Sequence, residues 1–342
     1  MIEIDGSYGE GGGQILRTAV ALAAYLGTPC RIRHIRRGRP KPGLRPQHLA
    51  GVQALAALCR AEVEGLQINS QEIIFKPREV AGGELRINIG TAGAIGLILQ
   101  TVMLPAGKAS TPCRLRITGG TDVPWAPTTG YVTGVTLPVL ARMGYAGGLA
   151  MIKRGYYPRG GGGVSVVLKK ADLSPLQLLD RGEIITIKGR SHASEALRQR
   201  QVAERQREGA MAVLQKAGLP LEIEVEYGPT ASPGSGIDLW ALAQDTCLGA
   251  TALGARGKRA EEVGEEGAAA LLRQINSGAA LDEWMGDQIL PFLAVAGGES
   301  AISITRITEH LQTNLWVINQ FLPLETDIKE EGTRAIVALK ST

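Results

Sequence analysis

The spacing of hydrophobic residues along the chain repeats one succession of elements. A glycine-rich opening leads into the apolar helix of residues 9–27, and a short strand follows at 30–35. A second helix, 46–61, and two strands between 63 and 77 complete the unit. The helices have apolar residues about 3.6 positions apart and the strands about 2 apart, which separates the two kinds of element.

The same order of elements recurs twice. Residues 90–170 form the second copy, although Pro138 is expected to bend or break its second helix, 129–144. A third copy starts with the helix 284–298. We therefore predict three β-α-β-α-β-β units of about 80 residues each, which share one core because a single unit cannot bury both faces of its elements.

A different pattern interrupts the third copy. Residues 183–276 read as β-α-β-β-α, with one long charged helix at 194–217. The predicted fold class is thus α/β (α+β): a large domain of three repeats, residues 1–182 and 277–342, with a smaller α/β domain inserted at 183–276.

His310 lies where an alternating strand, 301–305, passes into a helix. That helix is indicated by apolar residues at steps of three and four, namely Leu311, Leu315, Ile318 and Leu322. Loops between rigid elements often present reactive groups. A single histidine near a helix start is nevertheless more often structural or solvated, so the pattern alone does not assign it a role.

Composition narrows the class of protein. The 342 residues are 44% hydrophobic and 20% charged, as in a folded globular protein, and no run of about 18 apolar residues predicts a membrane span. The start of the chain lacks the features of a signal peptide. Four scattered cysteines indicate neither a zinc site nor a disulfide framework, so we expect a cytoplasmic, reducing setting.

Charge is distributed unevenly although the net charge is only +4. Residues 11–61 contain no Asp or Glu, but they contain nine basic residues: Arg17, Arg31, Arg33, Arg36, Arg37, Arg39, Lys41, Arg45 and Arg60. Such a field suits a polyanion, for example a phosphate chain or a nucleic-acid end. The alternative is a solvated basic face. Familiar phosphate-binding and catalytic motifs, including GxxxxGK[ST], HExxH and GxSxG, are absent from the sequence.

Six segments, in this order, together resemble the RNA 3′-terminal phosphate cyclase family: GEGGGQILR (9–17), IRRGRPKPGLRPQH (35–48), GGTDVPWAP (119–127), YYPRGGGG (156–163), GDQIL (286–290) and EHLQTN (309–314). The resemblance extends over nearly the whole chain. It implies a ligase with a three-repeat domain and an inserted α/β domain, which agrees with the pattern above.

The resemblance also implies a reaction. A histidine would take AMP from ATP, and the AMP would pass to an RNA 3′-phosphate to give RNA-(3′)pp(5′)A. The ribose 2′-OH would then displace AMP and leave a 2′,3′-cyclic phosphate. The implied cosubstrate is ATP, the metal is Mg²⁺ or Mn²⁺, and the partner is RNA with a 3′-terminal phosphate.

Residue roles follow from matching positions. His310 corresponds to the nucleophile, and Glu10 to a metal ligand, although Glu10 could instead be a carboxylate favoured at a helix N-terminus. The implied phosphate- and RNA-binding residues are Arg17, Arg36, Arg39, Lys41, Gln47 and His48. His48 could equally be a buried polar residue. The implied ATP-binding residues are Gln100, Pro127, Tyr131, Trp284, Met285, Gly286, Asp287 and Gln288.

Two other readings stay open at this point. One is the branch of the same family that lacks the histidine and assists ribosomal RNA processing as an RNA-binding protein, which His310 argues against. The other is an enolpyruvyl transferase, which uses related repeats. The oligomeric state is also open, with a homodimer as one alternative.

Overall fold

A computed structural model describes residues 1–341, and its sheets confirm the mixed α/β class with three repeats. Thr342, the last residue of the predicted large domain, lies outside the described residues. In every repeat the four strands have the order first, second, fourth, third. The first two strands are parallel and the remaining pairs are antiparallel.

The first repeat contributes β1 (Ile2–Asp5), β2 (Cys30–Arg33), β3 (Glu62–Glu64) and β4 (Ile73–Lys76). The second contributes β5 (Gly83–Asn88), β6 (Cys113–Gly119), β7 (Gly147–Lys153) and β8 (Gly162–Leu168). The third contributes β9 (Gln177–Leu178), β14 (Glu299–Ile304), β15 (Leu324–Glu331) and β16 (Arg334–Ser341). The recurrence of one topology is what a threefold repeat in the hydrophobic pattern requires.

The helices of the repeats cover these sheets. They are α1 (Gly13–Leu26), α2 (Pro46–Cys59), α3 (Ile95–Ala106), α4 (Thr129–Tyr131), α5 (Leu137–Ala141), α8 (Glu283–Val295) and α9 (Glu309–Phe321). Helix α3 packs on both α1 and α8, and α9 packs on α1 and α8. The first turns of α1 and α9 lie together, since the Gln14 side-chain amide donates to the carbonyl of His310 at 2.8 Å.

Pro138 does not break the second helix of its repeat. The chain is helical from Thr129 to Ala141, but Val132–Thr136 forms a π-helical turn just before the proline. A π turn widens the backbone hydrogen-bonding ring, and such turns are a recognised way for a helix to absorb a local disruption. The predicted break is therefore replaced by a local widening.

The inserted segment, residues 183–276, contains β10 (Ile184–Ser194), α6 (Val202–Leu214), β11 (Leu221–Gly228), β12 (Ser235–Ala243), β13 (Cys247–Leu253) and α7 (Ala260–Asn276). Its four strands form a sheet of their own in the order β11-β10-β12-β13. A separate hydrophobic core forms around Ile187, Leu239 and Leu271. The long helix predicted at 194–217 is wrong in one respect: Gln201 has φ +50°, and this left-handed residue separates a short 3₁₀ turn from α6.

Among residues 1–341, every helix is too short or too polar to cross a bilayer.

Candidate active site

A pocket of about 400 Å³ opens where α1, α3, α8 and α9 meet. This size is typical of a site for a small molecule. One end is apolar, with Leu97, Met103, Pro127 and Phe292 in its wall. The other end carries Arg17 and His310, so the pocket combines an apolar slot with a polar, cationic floor.

His310 is the second residue of α9, and the start of that helix is fixed by its cap. The Thr308 hydroxyl accepts the N–H of Leu311 at 2.9 Å and donates to the carboxylate of Asp287 on α8. Burial of Leu311 on the core side leaves the His310 side chain half-exposed at the pocket. The strand-to-helix junction in the sequence thus becomes a rigid support for one imidazole.

Electrostatics keep that imidazole neutral near pH 7. Partial burial lowers the pKa of His310 below its ordinary value, and the positive charges of Arg17 and Arg39 lower it further, whereas Glu10 opposes them. The Nδ1 atom of His310 lies 3.6 Å from Oε2 of Glu10. This arrangement favours the proton on Nδ1 and leaves the lone pair on Nε2, the form in which histidine acts as a nucleophile.

Arg17 is the cation nearest to this imidazole on α1. Burial lowers the pKa of Arg17 to about 10, so the guanidinium remains charged at neutral pH. Within residues 1–341 it forms no hydrogen bond or ion pair with another side chain. A half-buried cation without an anionic partner is strongly disposed to bind an anion.

His48 is buried beside Arg17, and it is neutral. Burial and the charges of Arg17, Arg36 and Arg45 lower its pKa to about 3. Its Nδ1 accepts the backbone N–H of Arg45 at 3.1 Å, which assigns the ring proton to Nε2. The absence of a side chain at Gly13 allows this nitrogen to lie close to the start of α1, because a Cβ at position 13 would lie 2.2 Å from it. Both open readings of His48 are thus compatible: it is buried, and its Nε2–H faces the start of α1.

The remaining predicted phosphate-binding residues differ in their present contacts. Arg36 donates to the carbonyls of Lys41 (2.7 Å) and Gly43 (3.0 Å), so it organises its own loop. The Gln47 side-chain oxygen accepts the N–H of Ala94 at 3.2 Å. The Lys41 side chain is exposed.

Glu10 is the predicted metal ligand, and its carboxylate accepts a hydrogen bond from Arg39 at 3.1 Å. It lies beside His310, and it is half-buried. Mg²⁺ commonly takes one or two carboxylates and completes its shell with water and substrate phosphates. A single oxygen donor at this place fits such a metal, provided that a phosphate chain supplies further oxygens.

Six of the eight predicted ATP-binding residues line the pocket: Gln100, Pro127, Tyr131, Trp284, Asp287 and Gln288. The rings of Tyr131 and Trp284 meet edge to face, with centroids 6.4 Å apart. Met285 and Gly286 differ. The Met285 side chain is fully buried in the core, and a Cβ on Gly286 would lie 2.8 Å from Ile304, so this glycine permits α8 to pack closely on β14.

Two further pocket residues, Trp125 and Asn314, lie in the motifs quoted above, but the sequence assigned them no role. Trp125 is 97% exposed at the rim, with φ +61°. Asn314 connects three helices, since it accepts the Thr18 hydroxyl at 2.7 Å and donates to the Asp287 carbonyl at 2.8 Å. Burial also raises the pKa of Asp287, one of the predicted ATP-binding residues, to about 7, so ionisation of this carboxyl at the pocket costs free energy. Only the tertiary contacts reveal these roles, because the partners are far apart in sequence.

Comparison with known proteins settles the family. Residues 8–328 match the family model described as RNA 3′-terminal phosphate cyclase. The chain belongs to the RNA 3′-terminal phosphate cyclase family. This confirms the resemblance and the prediction that the protein is an enzyme of that family, and the matched region includes every predicted site residue from Glu10 to His310.

Proteins with the name RNA 3′-terminal phosphate cyclase resemble the chain end to end. The one from Methanopyrus kandleri is 48% identical and covers 99% of both chains. Those from Archaeoglobus fulgidus (47%; 98% of this chain, 100% of that one) and Pyrococcus furiosus (46%; 96% and 95%) are similar. A solved enolpyruvyl transferase, NikO from Streptomyces tendae, is 16% identical to this chain and matches 49% of it and 33% of its own length. The TM-score is 0.28, so this likeness is too weak to support a conclusion about fold or function.

A second charged group lies away from the pocket of this cyclase-family chain. Asp122, His192 and Asp238 form the one set of metal-ligand type within residues 1–341 whose ligand atoms lie close together. Arg154 donates to both oxygens of Asp122 at 3.0 and 3.1 Å and lies 3.8 Å from Asp238. Because this guanidinium already occupies both oxygens of Asp122 and lies beside Asp238, we interpret the group as a buried ion-pair cluster and not as a metal site.

Proposed function

We propose that this protein converts the 3′-terminal phosphate of RNA to a 2′,3′-cyclic phosphodiester at the expense of ATP. The observation that carries the proposal is a neutral, half-exposed His310 at the floor of a nucleotide-sized pocket, beside an unpaired Arg17. The family membership of the chain gives this arrangement its substrate class.

In the first step Nε2 of His310 attacks the α-phosphorus of ATP. A P–N bond forms, the bond to the bridging oxygen breaks, and pyrophosphate leaves. The ring proton on Nδ1 faces Glu10, whose carboxylate stabilises the positive charge that develops on the imidazole. Phosphoramidates of histidine transfer readily, so the enzyme retains AMP in an activated form.

In the second step an oxygen of the RNA 3′-phosphate attacks the phosphorus of the histidyl-AMP. The P–N bond breaks, and a P–O–P anhydride forms. This step is needed because a phosphate monoester dianion repels nucleophiles and its oxygens leave poorly. In the third step the adjacent 2′-OH attacks the 3′-phosphorus, loses its proton and expels AMP, which closes the cyclic phosphodiester.

The cations around His310 have a common task in these steps. ATP and an RNA end bring several negative charges into one cleft, and preorganised donors stabilise such charge most where it develops. Arg17 is the best placed, with the Nε2–H of His48 beside it, and Arg39 approaches from the loop between β2 and α2, where it donates to Glu10. We assign Arg36 and Lys41 to the RNA side, where the basic loop that contains them would contact the phosphates of the RNA backbone.

The apolar end of the pocket would hold the adenine. Pro127 and the rings of Tyr131 and Trp284 offer flat surfaces for a purine, and Gln100 offers polar atoms at the edge. Glu10 would hold Mg²⁺ or Mn²⁺ together with the phosphates. Such a metal, when bound, would neutralise phosphate charge and help the pyrophosphate leave.

The test is covalent labelling with α-³²P-ATP in the presence of Mg²⁺ or Mn²⁺. His310→Asn should take up no label, whereas His34→Asn should be labelled normally. The two histidines form a matched pair, since each side chain is 49% exposed and each faces one carboxylate. A folded wild-type protein that takes up no label with either metal would overturn the proposal and favour an RNA-binding role.

A further inference from the structure

The inserted segment contacts both helices that carry the aromatic walls of the pocket. Tyr131 is the last residue of α4 and Trp284 is the second residue of α8, and each helix starts after a cap residue that is hydrogen-bonded to the inserted segment. We propose that the inserted segment is a positioning element that sets the width of the nucleotide slot, with Asp238 as its principal residue. This inference rests on the proposed use of the pocket for ATP.

The first contact passes through Thr128. Its oxygen accepts the N–H of Tyr131 at 3.0 Å and thereby caps α4. Its hydroxyl donates to Oδ1 of Asp238 on β12 at 2.6 Å. All three residues are buried, so this bond is shielded from water and fixes where Tyr131 stands.

The second contact passes through Asp282, the cap of α8. Its Oδ1 accepts the N–H groups of Trp284 (3.1 Å) and Met285 (2.9 Å) and the hydroxyl of Tyr131 (2.6 Å). Its Oδ2 accepts the N–H of Gly249 on β13 at 2.8 Å. One carboxylate therefore ties both aromatic walls to a backbone group of the inserted segment.

Close packing leaves little room for movement between these parts. A Cβ on Gly130 would lie 2.1 Å from Oδ2 of Asp238, and one on Gly134 would lie 2.8 Å from the ring of Trp240. Thr251, at the end of the same sheet, lines the pocket directly. The inserted segment thus forms the outer support of the slot.

Asp238 is itself held by the buried ion-pair cluster. Its Oδ2 lies 3.3 Å from Nε2 of His192 and 3.8 Å from Nη1 of Arg154. Burial alone would raise the pKa of Asp238, but His192, Arg154 and Thr128 lower it, so the carboxylate stays charged. Arg154 precedes the YYPRGGGG segment, whose Tyr156 hydroxyl lies 2.8 Å from Nδ1 of His192. The proposed chemistry does not use this glycine-rich motif, but through Tyr156 the motif contacts the cluster that holds Asp238.

The test compares the binding of two ligands, ATP and inorganic triphosphate, by equilibrium dialysis with Mg²⁺ present. All variants are made in His310→Asn protein, which cannot form the covalent adenylate and therefore leaves the ATP intact. Thr128→Val removes both buried hydrogen bonds of this oxygen, the one to Asp238 and the one from the Tyr131 N–H, so we expect the Kd for ATP to rise about tenfold. The Kd for triphosphate, which lacks an adenosine, should change less than about twofold. Thr128→Ser keeps the hydroxyl and should restore ATP affinity, and Asp238→Asn should weaken it in the same direction as Thr128→Val but less.

The control is Ser191→Ala, which removes a buried hydroxyl bond to the Ala203 carbonyl inside the inserted segment. It should leave both dissociation constants unchanged, because loss of folded protein lowers the amount bound at saturation and not the affinity. Equal weakening of both ligands by Thr128→Val, or no change in either, overturns the inference. If the wild type binds ATP but is not labelled, the proposed function alone fails; if it binds no ATP, both fail.

Discussion

Two groups of similar side chains behave differently in this protein. At the pocket floor His310 and Arg17 have Glu10 and Arg39 beside them, and at the junction with the inserted segment His192 lies with Asp122, Asp238 and Arg154. The His310 side chain is 49% exposed, whereas that of His192 is 0% exposed. At the junction Arg154 is surrounded by carboxylates, but at the pocket Arg17 has no carboxylate partner among residues 1–341. The comparison indicates that a buried cation held by carboxylates supports the fold, whereas a cation without such a partner beside a pocket is suited to bind an anion.

The largest expected effect is on stability, at the junction. Arg154→Met leaves Asp122 buried without the guanidinium nitrogen that donates to both of its oxygens, and we expect the free energy of unfolding to fall by about 3–5 kcal/mol. Denaturant unfolding measures this. Arg78→Met is the control, because Arg78 pairs with Glu62 at the exposed surface, where such a pair contributes about 1 kcal/mol or less. Similar losses in the two variants would contradict the distinction between the two groups.

At the pocket floor we expect a large effect on rate and a small one on stability. Arg17→Gln should slow histidine labelling about 10²- to 10³-fold, the size found when one preorganised donor is removed. Arg17 also lowers the pKa of His310, so its loss raises that pKa. Since the neutral imidazole attacks, the acidic limb of the pH–rate profile should move to higher pH. Arg37→Gln, an exposed change in the same basic stretch, should move neither quantity.

The buried carboxyl of Asp287 is expected to lower the stability of the folded protein at neutral pH. Burial raises the pKa of its carboxyl to about 7, whereas the unfolded chain ionises near pH 4. Between these values the unfolded state releases a proton that the folded state keeps, so this group makes stability fall as pH rises. Asp287→Asn should therefore be more stable than the wild type by about 1–3 kcal/mol at pH 8, with a difference that shrinks toward pH 4. Unfolding curves with a constant difference across this range would contradict the explanation.

The smallest expected effect is at the rim. Trp125 is almost fully exposed, so Trp125→Ala should change the free energy of unfolding by less than about 0.5 kcal/mol. If the indole stacks on a bound base, the Kd for ATP or for the RNA end should rise about twofold to fivefold. Tyr157→Ala, which removes another exposed ring outside the pocket, is the control. Equal effects of the two variants would remove Trp125 from the site.

The repeats were predictable because they depend on local periodicity. Apolar residues at helical spacing define α1, α3 and α8, and the common strand order of the three sheets follows from repetition of one unit. The errors have local causes that periodicity does not register. A π-helical turn accommodated Pro138, and a single left-handed residue, Gln201, divided a helix with an unbroken charge pattern.

The candidate site was predictable only where a motif marked it. The motifs that contain Glu10, Arg17 and His310 are separated by about 300 residues, and the structure brings them to one pocket, although their roles stay predictions. Met285 and Gly286 stand in the same motif as Asp287, but they turn toward the core and β14. Adjacent residues on a helix face in different directions, so a motif of consecutive residues includes some that do not face the site.

By itself the sequence determined the elements, their threefold repetition, the basic field near the N-terminus and the junction that carries His310. These properties depend on residues close together in the chain. Only the tertiary structure decided that His310 is half-exposed at a pocket whereas His192 is fully buried among charged groups, and that Asp238 accepts a hydrogen bond from Thr128, 110 residues away. Burial and charge pairing are set by which distant segments pack together, and no local spacing records that choice.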